Sequence, residues 1–335
     1  MRALVTGATG FVGSRLVGRL LERDDTVVGL ARSPSAAQKL IDRGCKFVQG
    51  SLTQEPAVRA AVQGCDVVFH LGGVTSLGIT RSERGNMETA NIGGTELLFE
   101  AAVDEGVGRI VYASSLAAFG NTKGQVVDET FNRTDPRFLS WYERTKYLAH
   151  QTALSRIRDG APIVIVQPGH VYGPGDHSLV GEQIERAAKG TLRYRAFPEL
   201  GLVLTHVDDV VEGILQAAER GELGRSYILG GERTTLGAAI QRAARAGGNR
   251  APTWTVPSPA LKALAPLSRV LSRVAQAPPN LGEIVNAAEN VTYWATDERA
   301  RRELGYTSRS LDEGLSEMFA ENGSESAPPG DSADA

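Results

Sequence analysis

Cysteine is scarce in this sequence. The 335 residues include two cysteines, Cys45 and Cys65, and their separation matches neither a metal-binding nor a redox motif. A cysteine-based metal centre or redox site is therefore not expected. We expect both side chains to be small, buried residues.

Long apolar runs and an excess of one charge are also lacking. No stretch approaches the roughly 20 apolar residues that a membrane-spanning helix requires, and glycines interrupt the apolar residues at the N-terminus, which show no signal-peptide pattern. The net charge is -3, so nothing indicates a nucleic-acid partner. His170, His177 and His206 show no metal-ligand spacing, and no metal is expected. We expect a cytoplasmic protein that acts on a small molecule, without nucleic-acid or membrane partners.

Short β-rich segments alternate with helical patterns through the first two-thirds of the chain. Strands separated by helices imply parallel pairing through right-handed crossovers. The predicted fold is therefore α/β, a Rossmann-type doubly wound parallel sheet. The predicted strands are Arg2–Thr6, Thr26–Leu30, Lys46–Gln49, Asp66–Leu71, Arg109–Ser114 and Pro162–Gln167, and the clearest helices are Phe11–Arg23, Met87–Glu105 and Leu139–Arg158.

Beyond Pro168 the alternation loosens and the chain becomes mostly helical, although Leu202–Val207 and Ser226–Leu229 still resemble strands. We predict that residues 1–170 plus 204–231 form the sheet domain. Residues 171–203 plus 232–321 are predicted to form a smaller, mostly helical substrate-binding lobe. Residues 322–335 are a predicted disordered tail, because they contain no apolar anchor to offset the cost of ordering them.

A glycine-rich turn, Gly7-x-x-Gly10-x-x-Gly13, follows the first predicted strand and opens the first helix. Glycines keep such a turn tight and let its backbone approach a pyrophosphate, which the free N–H groups of the helix then bind. The spacing differs by one residue from the usual G-x-G-x-x-G, but the strand-turn-helix context supports it. We predict dinucleotide binding by Gly7, Thr9, Gly10, Phe11, Val12 and Gly13.

Arg32 follows the second predicted strand, where many dinucleotide folds place an acid that binds the ribose 2′-hydroxyl. An arginine fork suits a 2′-phosphate instead. The sequence therefore favours NADP(H), with NAD(H) as the alternative cofactor.

Tyr142 and Lys146 are four residues apart and share a face of a predicted helix. A free tyrosine has a pKa of about 10, and a nearby ammonium group lowers it toward the range useful for acid-base catalysis. A serine pair follows the fifth predicted strand, at the end where open α/β sheets bind ligands. Ser115 is the preferred catalytic hydroxyl and Ser114 is the alternative.

With these motifs the chain resembles the extended short-chain dehydrogenases/reductases, which include nucleotide-sugar epimerases and dehydratases, dihydroflavonol reductases and 3β-hydroxysteroid dehydrogenases. The matching stretches are Thr6–Gly13, Gly64–Leu71, Asn91–Thr95, Tyr142–Lys146, Gln167–Asp176, His206–Asp209 and Arg302–Tyr306.

The resemblance implies a Ser115-Tyr142-Lys146 triad in which Tyr142 and Lys146 also contact the cofactor. It also implies a homodimer packed through the helices at 87–105 and 139–158. Further implied cofactor contacts are Leu71, Gly72 and Gly73 near the ribose, Pro168, Gly169 and Val171 near the nicotinamide carboxamide, Asn91 in a structural or nearby role, and Ser51 and Leu52 near the adenine.

Three positions depart from the family pattern. Ser51 replaces an aspartate that commonly contacts adenine, so only backbone or hydroxyl contact remains there. Gly72-Gly73 replaces a usual pair of alanines, and Gln167 replaces a common arginine.

Three functions fit this pattern. The first is an NADP(H)-dependent oxidoreductase that reduces a ketone or aldehyde, or oxidises the alcohol. The second is a nucleotide-sugar epimerase with tightly bound NAD, and the third is a non-enzymatic cofactor-sensing or assembly protein. The apolar stretch 201–205, where sugar enzymes often carry an arginine, favours the first. Candidate substrate contacts are Thr75, Ser76, Ser115, His170, Tyr172, Arg193 and Arg195.

Overall fold

The computed structural model describes residues 1–268 and 278–320. The predicted disordered tail, 322–335, lies outside the described residues, as does 269–277 of the predicted lobe. The strands are β1 (Arg2–Thr6), β2 (Thr26–Ala31), β3 (Lys46–Gln49), β4 (Val67–His70), β5 (Arg109–Ala113), β6 (Ile163–Pro168), β7 (His170–Tyr172), β8 (Gly201–His206), β9 (Ser226–Leu229) and β10 (Glu232–Thr235).

Helices separate most of these strands. They are α1 (Phe11–Glu22), α2 (Pro34–Ile41), α3 (Glu55–Val62), α4 (Arg81–Glu88), α5 (Gly94–Asp104), α6 (Trp141–Arg158), α7 (Leu179–Ala188), α8 (Val207–Arg220), α9 (Leu236–Ala246), α10 (Ser258–Leu264), α11 (Leu281–Ala288), α12 (Glu298–Leu304) and α13 (Leu311–Ala320). A π-helical turn covers Thr89–Gly93, and 3₁₀ turns cover Leu116–Phe119 and Ala265–Leu267.

Seven parallel strands form the main sheet in the order β3-β2-β1-β4-β5-β6-β9. Helices cover both faces of the sheet, so the side chains on both sides of a central strand are apolar and buried. The order reverses between β1 and β4, and such a switch point is where doubly wound sheets bind ligands. The architecture confirms the predicted Rossmann-type fold class.

The two faces of the main sheet have separate cores. Helices α1 and α8 cover one face, and α3, α5 and α6 cover the other. The first core includes Val5, Leu16, Phe69, Val111, Val164 and Ile214. The second includes Leu4, Val58, Val68, Phe99, Ile110 and Ile165. Register places Leu4, Val68, Ile110 and Ile163 side by side across four strands.

A second sheet of three strands, β10-β8-β7, forms a third core with α7, α9, α11 and α13. The sequence predicted this region as mostly helical and missed β7 and β10. Strand β7 has three residues directly after Gly169, and β10 reads Glu-Arg-Thr-Thr without an apolar alternation. The division of the chain into two domains at the predicted boundaries stays a prediction.

The predicted helix Met87–Glu105 is interrupted. A π-helical turn at Thr89–Gly93 separates α4 from α5, and such turns often occur at functional sites. The side chain of Asn91 in this turn is bound to the backbone of Val74.

Cys45 and Cys65 are both buried and unpaired, as predicted. Within the described ranges, no helix is both long and apolar enough to cross a membrane.

Candidate active site

The glycine turn between β1 and α1 is packed backbone to backbone. Gly7 has a φ of +73°, and a Cβ there would lie 3.0 Å from the Cα of Gly72. A Cβ on Gly13 would lie 2.1 Å from the carbonyl oxygen of Gly7. Gly10 is the N-cap residue of α1 and no side chain caps this helix end, which leaves its first N–H groups for a ligand. The turn therefore fits a dinucleotide pyrophosphate, and the neighbouring Thr9, Phe11 and Val12 lie on the same open helix end.

Arg32 lies at the end of β2, directly before the Ser33 cap of α2. It is exposed, and among the described residues its guanidinium has no ion-pair or hydrogen-bond partner. The charge is thus free for an anionic ligand at this edge of the sheet.

The loop after β3 approaches the loop after β4. The hydroxyl of Ser51 is bonded to that of Thr53 at 2.8 Å, so it is engaged locally. Leu52 packs closely against Gly72. A Cβ on Gly72 would lie 3.0 Å from Cδ1 of Leu52. Replacing the usual alanine by glycine at Gly72 accommodates this leucine.

A buried histidine fixes the loop after β4. His70 bonds Thr6 through Nδ1 at 2.8 Å and Thr95 through Nε2 at 2.9 Å. The Thr6 hydroxyl also accepts the N–H of Gly72 at 3.0 Å. Burial, with the charge of Lys146, lowers the pKa of His70 to about 3, so the ring is neutral. The network holds Leu71 and the glycines after it beside the glycine turn.

Asn91 links the loop after β4 to α6 through hydrogen bonds. Its amide oxygen accepts the N–H of Val74 at 2.7 Å, and its amide nitrogen donates to the Val74 carbonyl and to the Thr145 hydroxyl. A Cβ on Gly73 would lie 3.2 Å from the Asn91 oxygen. Both polar atoms of the Asn91 side chain are hydrogen-bonded within the protein, which indicates a structural role. One of the partners, Thr145, directly precedes Lys146.

The two serines after β5 have different surroundings. Ser114 is buried, and its hydroxyl is bonded to Nδ1 of His150 at 2.9 Å. Ser115 is half-buried in extended backbone, and its hydroxyl accepts the Ala117 N–H at 3.1 Å, capping the 3₁₀ turn. The hydroxyl of Ser115 can still donate, so Ser115 is the better placed of the two to bind a substrate oxygen.

Tyr142 and Lys146 lie in the first turns of α6, which Ser140 caps. The ammonium of Lys146 donates to the carbonyl of Ala113 at 2.9 Å, and burial lowers its pKa to about 8. Burial raises the pKa of the Tyr142 phenol, whereas a hydrogen bond with Ser115 acts in the opposite direction. We expected Lys146 to lower the pKa of Tyr142. Instead burial dominates, and the ammonium is directed to the end of β5.

The C-terminal end of β6 leads into the second sheet. Pro168 is buried, and Gly169 approaches β8 so closely that a Cβ would lie 2.4 Å from the Val203 carbonyl oxygen. His170 and Val171 are half-buried, and His170 Nε2 is bonded to the Ser178 hydroxyl at 3.3 Å. Burial lowers the pKa of His170, with Asp176 opposing it.

The other predicted substrate contacts have different surroundings. Thr75 and Ser76 are exposed in the loop after β4. Tyr172 is 1% exposed and belongs to the core of the second sheet, where it contacts α13 at Gly314. Its aromatic ring packs between β7 and that helix.

The two arginines considered for a diphosphate lie in the segment between α7 and β8. Arg193 is exposed. Arg195 forms an isolated β-bridge with Thr255, and its guanidinium donates to the Thr253 carbonyl at 3.1 Å. Part of its hydrogen-bonding capacity is therefore used by the protein.

Sequence reasoning assigned no role to His70 or His150, and it missed an ion pair between Arg133 and Glu143 beside Tyr142. His150 could have been found, because it lies four residues after Lys146 on the same helix face. In the described ranges, no three His, Cys, Asp or Glu side chains are grouped to hold a metal.

The fold and this site define an enzyme that uses a nicotinamide dinucleotide. The family model for the NAD dependent epimerase/dehydratase family matches residues 3–230. The chain belongs to this family, the extended short-chain dehydrogenases/reductases, and is an NAD(P)-dependent oxidoreductase or epimerase.

Relatives span nearly the whole chain. It is 32% identical to the 4-hydroxy-2-methyl-3-oxo-4-farnesyl-3,4-dihydroquinoline-1-oxide ketoreductase of Stigmatella aurantiaca, covering 92% of each sequence. It is 28% identical to a 3β-hydroxysteroid dehydrogenase/Δ5→4-isomerase of Mycobacterium tuberculosis, covering 91% of this chain and 85% of the relative. A Bacillus cereus UDP-glucuronic acid 4-epimerase solved with NAD superposes with a TM-score of 0.77 at 22% identity, covering 96% of this chain and 98% of that one. This last likeness shows the fold alone.

Proposed function

We propose that the protein is an NADP(H)-dependent oxidoreductase that reduces a ketone or aldehyde, or oxidises the corresponding alcohol. The observation that carries the proposal is that Ser115, at the carboxyl end of β5, lies close enough to the Tyr142 hydroxyl to lower its pKa, while Lys146 donates to the Ala113 carbonyl beside it. When bound, the cofactor supplies the hydride. The glycine turn opens onto the same edge of the sheet.

The side chains have separate roles. The Tyr142 O–H donates its proton to the carbonyl oxygen as the alcohol forms, and the Ser115 hydroxyl holds that oxygen. The Lys146 ammonium, bound to the Ala113 carbonyl at the carboxyl end of β5, would donate to a ribose hydroxyl of the cofactor.

Net reduction is favoured over sugar epimerisation by the strand before His206. Strand β8 is buried throughout and contributes apolar side chains, Leu202 and Leu204, to the core. It offers no arginine to a diphosphate. The ketoreductase and the hydroxysteroid dehydrogenase among the relatives also support a redox reaction.

Arg32 is proposed to select NADPH by binding its 2′-phosphate. Replacing Arg32 by alanine is expected to weaken NADPH binding by about 10- to 100-fold, since charge-assisted hydrogen bonds contribute about 1.5–3 kcal/mol. NADH binding should hardly change. Fluorescence titration of both cofactors measures this, with exposed Lys39 on α2 replaced by alanine as the control. Equal affinity of the wild type for both cofactors would contradict the assignment.

The serine pair offers a second test. Ser115→Ala is expected to lower kcat by about 100-fold, because it removes a hydrogen bond to the reacting oxygen. Ser114→Ala should mainly lower the melting temperature, because it leaves buried His150 without its partner. A larger loss of kcat in Ser114→Ala than in Ser115→Ala would reverse the assignment.

A panel assay tests the proposed reaction. Purified protein is mixed with NADPH and either apolar ketones and aldehydes or UDP-sugars, and the products are resolved. NADPH consumption with a carbonyl compound supports the proposal. Interconversion of a UDP-sugar without cofactor consumption would overturn it in favour of an epimerase.

A further inference from the structure

We propose that the buried ion pair between Arg133 and Glu143 is a positioning device for the proton donor. It holds the first turn of α6, which carries Tyr142, against the segment that carries Ser115. The inference rests on the proposed function, because it assigns a role within the same site.

Both charges are almost fully removed from water. The Arg133 side chain is 8% exposed and that of Glu143 is 1% exposed, with 2.9 Å between Nη1 and Oε1. Glu143 directly follows Tyr142, and its N–H is bonded to the Ser140 hydroxyl at 3.0 Å. Any shift of the Glu143 backbone therefore also moves Tyr142.

Arg133 is fixed by more than its carboxylate partner. Its Nε donates to the Asp135 carbonyl at 3.0 Å, and its Nη2 donates to the Arg137 carbonyl at 2.7 Å. The guanidinium also lies over the rings of Phe138 and Tyr147, 4.3 Å and 5.3 Å from their centroids. Each nitrogen thus has a separate acceptor, which fixes the orientation of the fork.

The pair also contacts the chain that leaves Ser115. Gly120 ends the 3₁₀ turn that Ser115 caps, and its φ is +73°. A Cβ on Gly120 would lie 3.1 Å from Glu143 Oε1 and 3.3 Å from Arg133 Cζ. The ion pair therefore lies directly between the serine segment and the tyrosine helix.

Stability alone does not account for this pair. A buried ion pair is often no more stabilising than apolar side chains of similar volume. Oε2 of Glu143 is buried and has no hydrogen-bond partner in the described part of the chain, and burial raises the pKa of this carboxyl although Arg133 opposes the shift. A positioning role gives the arrangement a function that packing would not supply.

The test replaces both charges at once, as Arg133→Met with Glu143→Leu. The matched control is Arg309→Met with Asp209→Leu, which removes another largely buried pair at the N-terminus of α8. We expect the test variant to keep its melting temperature and its KM for NADPH, while kcat falls by about 100-fold, the loss that a small misplacement of a reacting group can cause. The control should keep its kcat.

The pH profile adds a readout that a purely structural pair would not change. Reduction needs protonated Tyr142, so the rate is lost as pH rises through its pKa. The neighbouring Ser115 hydroxyl lowers that pKa, and its displacement should move this limb to higher pH in the test variant. An unchanged kcat and pH profile in the folded double variant would overturn the inference.

A second variant covers the case in which the double variant does not fold. Glu143→Gln keeps the volume and removes the charge, and hydrogen exchange is measured at amides 116–120. We expect faster exchange there than in the wild type. Unchanged exchange would overturn the inference, and because this readout needs no substrate, it separates failure of the positioning role from failure of the proposed reaction.

Discussion

Tyr142→Phe is expected to reduce turnover by about 1,000-fold, the middle of the range for loss of a positioned general acid. The substitution removes one hydroxyl, the group whose pKa the neighbouring Ser115 lowers. The glycine turn and Arg32 do not contact that hydroxyl, so the Kd for NADPH should stay close to the wild-type value. Steady-state kinetics and a cofactor titration measure the two quantities.

Tyr147→Phe is the matched control. Tyr147 is half-buried on the same helix, and its ring would keep its contacts with Arg133 and Phe138. Its loss of a hydroxyl should leave kcat unchanged. Turnover that survives in Tyr142→Phe would show that another group supplies the proton.

Gly13→Ala is expected to weaken NADPH binding by about 100-fold. The added Cβ would lie 2.1 Å from the carbonyl oxygen of Gly7, so the turn must move away from α1. Gly7 cannot adjust freely, because a Cβ built on it would already lie 3.0 Å from the Cα of Gly72, so the two backbones are packed closely. Overpacking of this kind costs about 1–3 kcal/mol, and here the displaced atoms belong to the glycine turn that is proposed to bind the pyrophosphate. Calorimetric titration with NADPH measures the loss.

Gly18→Ala on the same helix is the control. No atom lies within 4 Å of a Cβ at Gly18, and alanine is about 0.8–1.0 kcal/mol more favourable than glycine in a helix interior. This variant should melt slightly higher than the wild type and bind NADPH unchanged. Wild-type affinity for NADPH in Gly13→Ala would mean that the glycine turn does not bind the cofactor.

The parts of the fold that were predictable are those with a local pattern. Strands such as Lys46–Gln49 and Ser226–Leu229 have the predicted bounds, because short β-rich segments between turns are sufficient to define them. Strands β7 and β10 were not found, since their pairing with β8 depends on tertiary contacts. The π-helical turn was hidden for a similar reason, because its Asn91 is bound to a loop 17 residues away.

The candidate site divides in the same way. The glycine turn and the Tyr142–Lys146 pair depend on spacings of a few residues, which a sequence displays directly. The His70 network joins Thr6 to a residue 64 positions away, and no local spacing reveals it. The burial of Tyr172 in the core of the second sheet likewise depends on α13, near the end of the described chain.

The central claim is that hydride passes from the nicotinamide to a substrate carbonyl carbon with net consumption of NADPH. The most direct measurement supplies NADPH deuterated at the transferred position, with a carbonyl compound active in the panel assay, and follows the label by mass spectrometry and NMR. We predict one deuterium on the carbinol carbon of the alcohol and one NADP⁺ for each product molecule, with both lost in Tyr142→Phe. Product formed without deuterium, or without an equal amount of NADP⁺, would contradict the account.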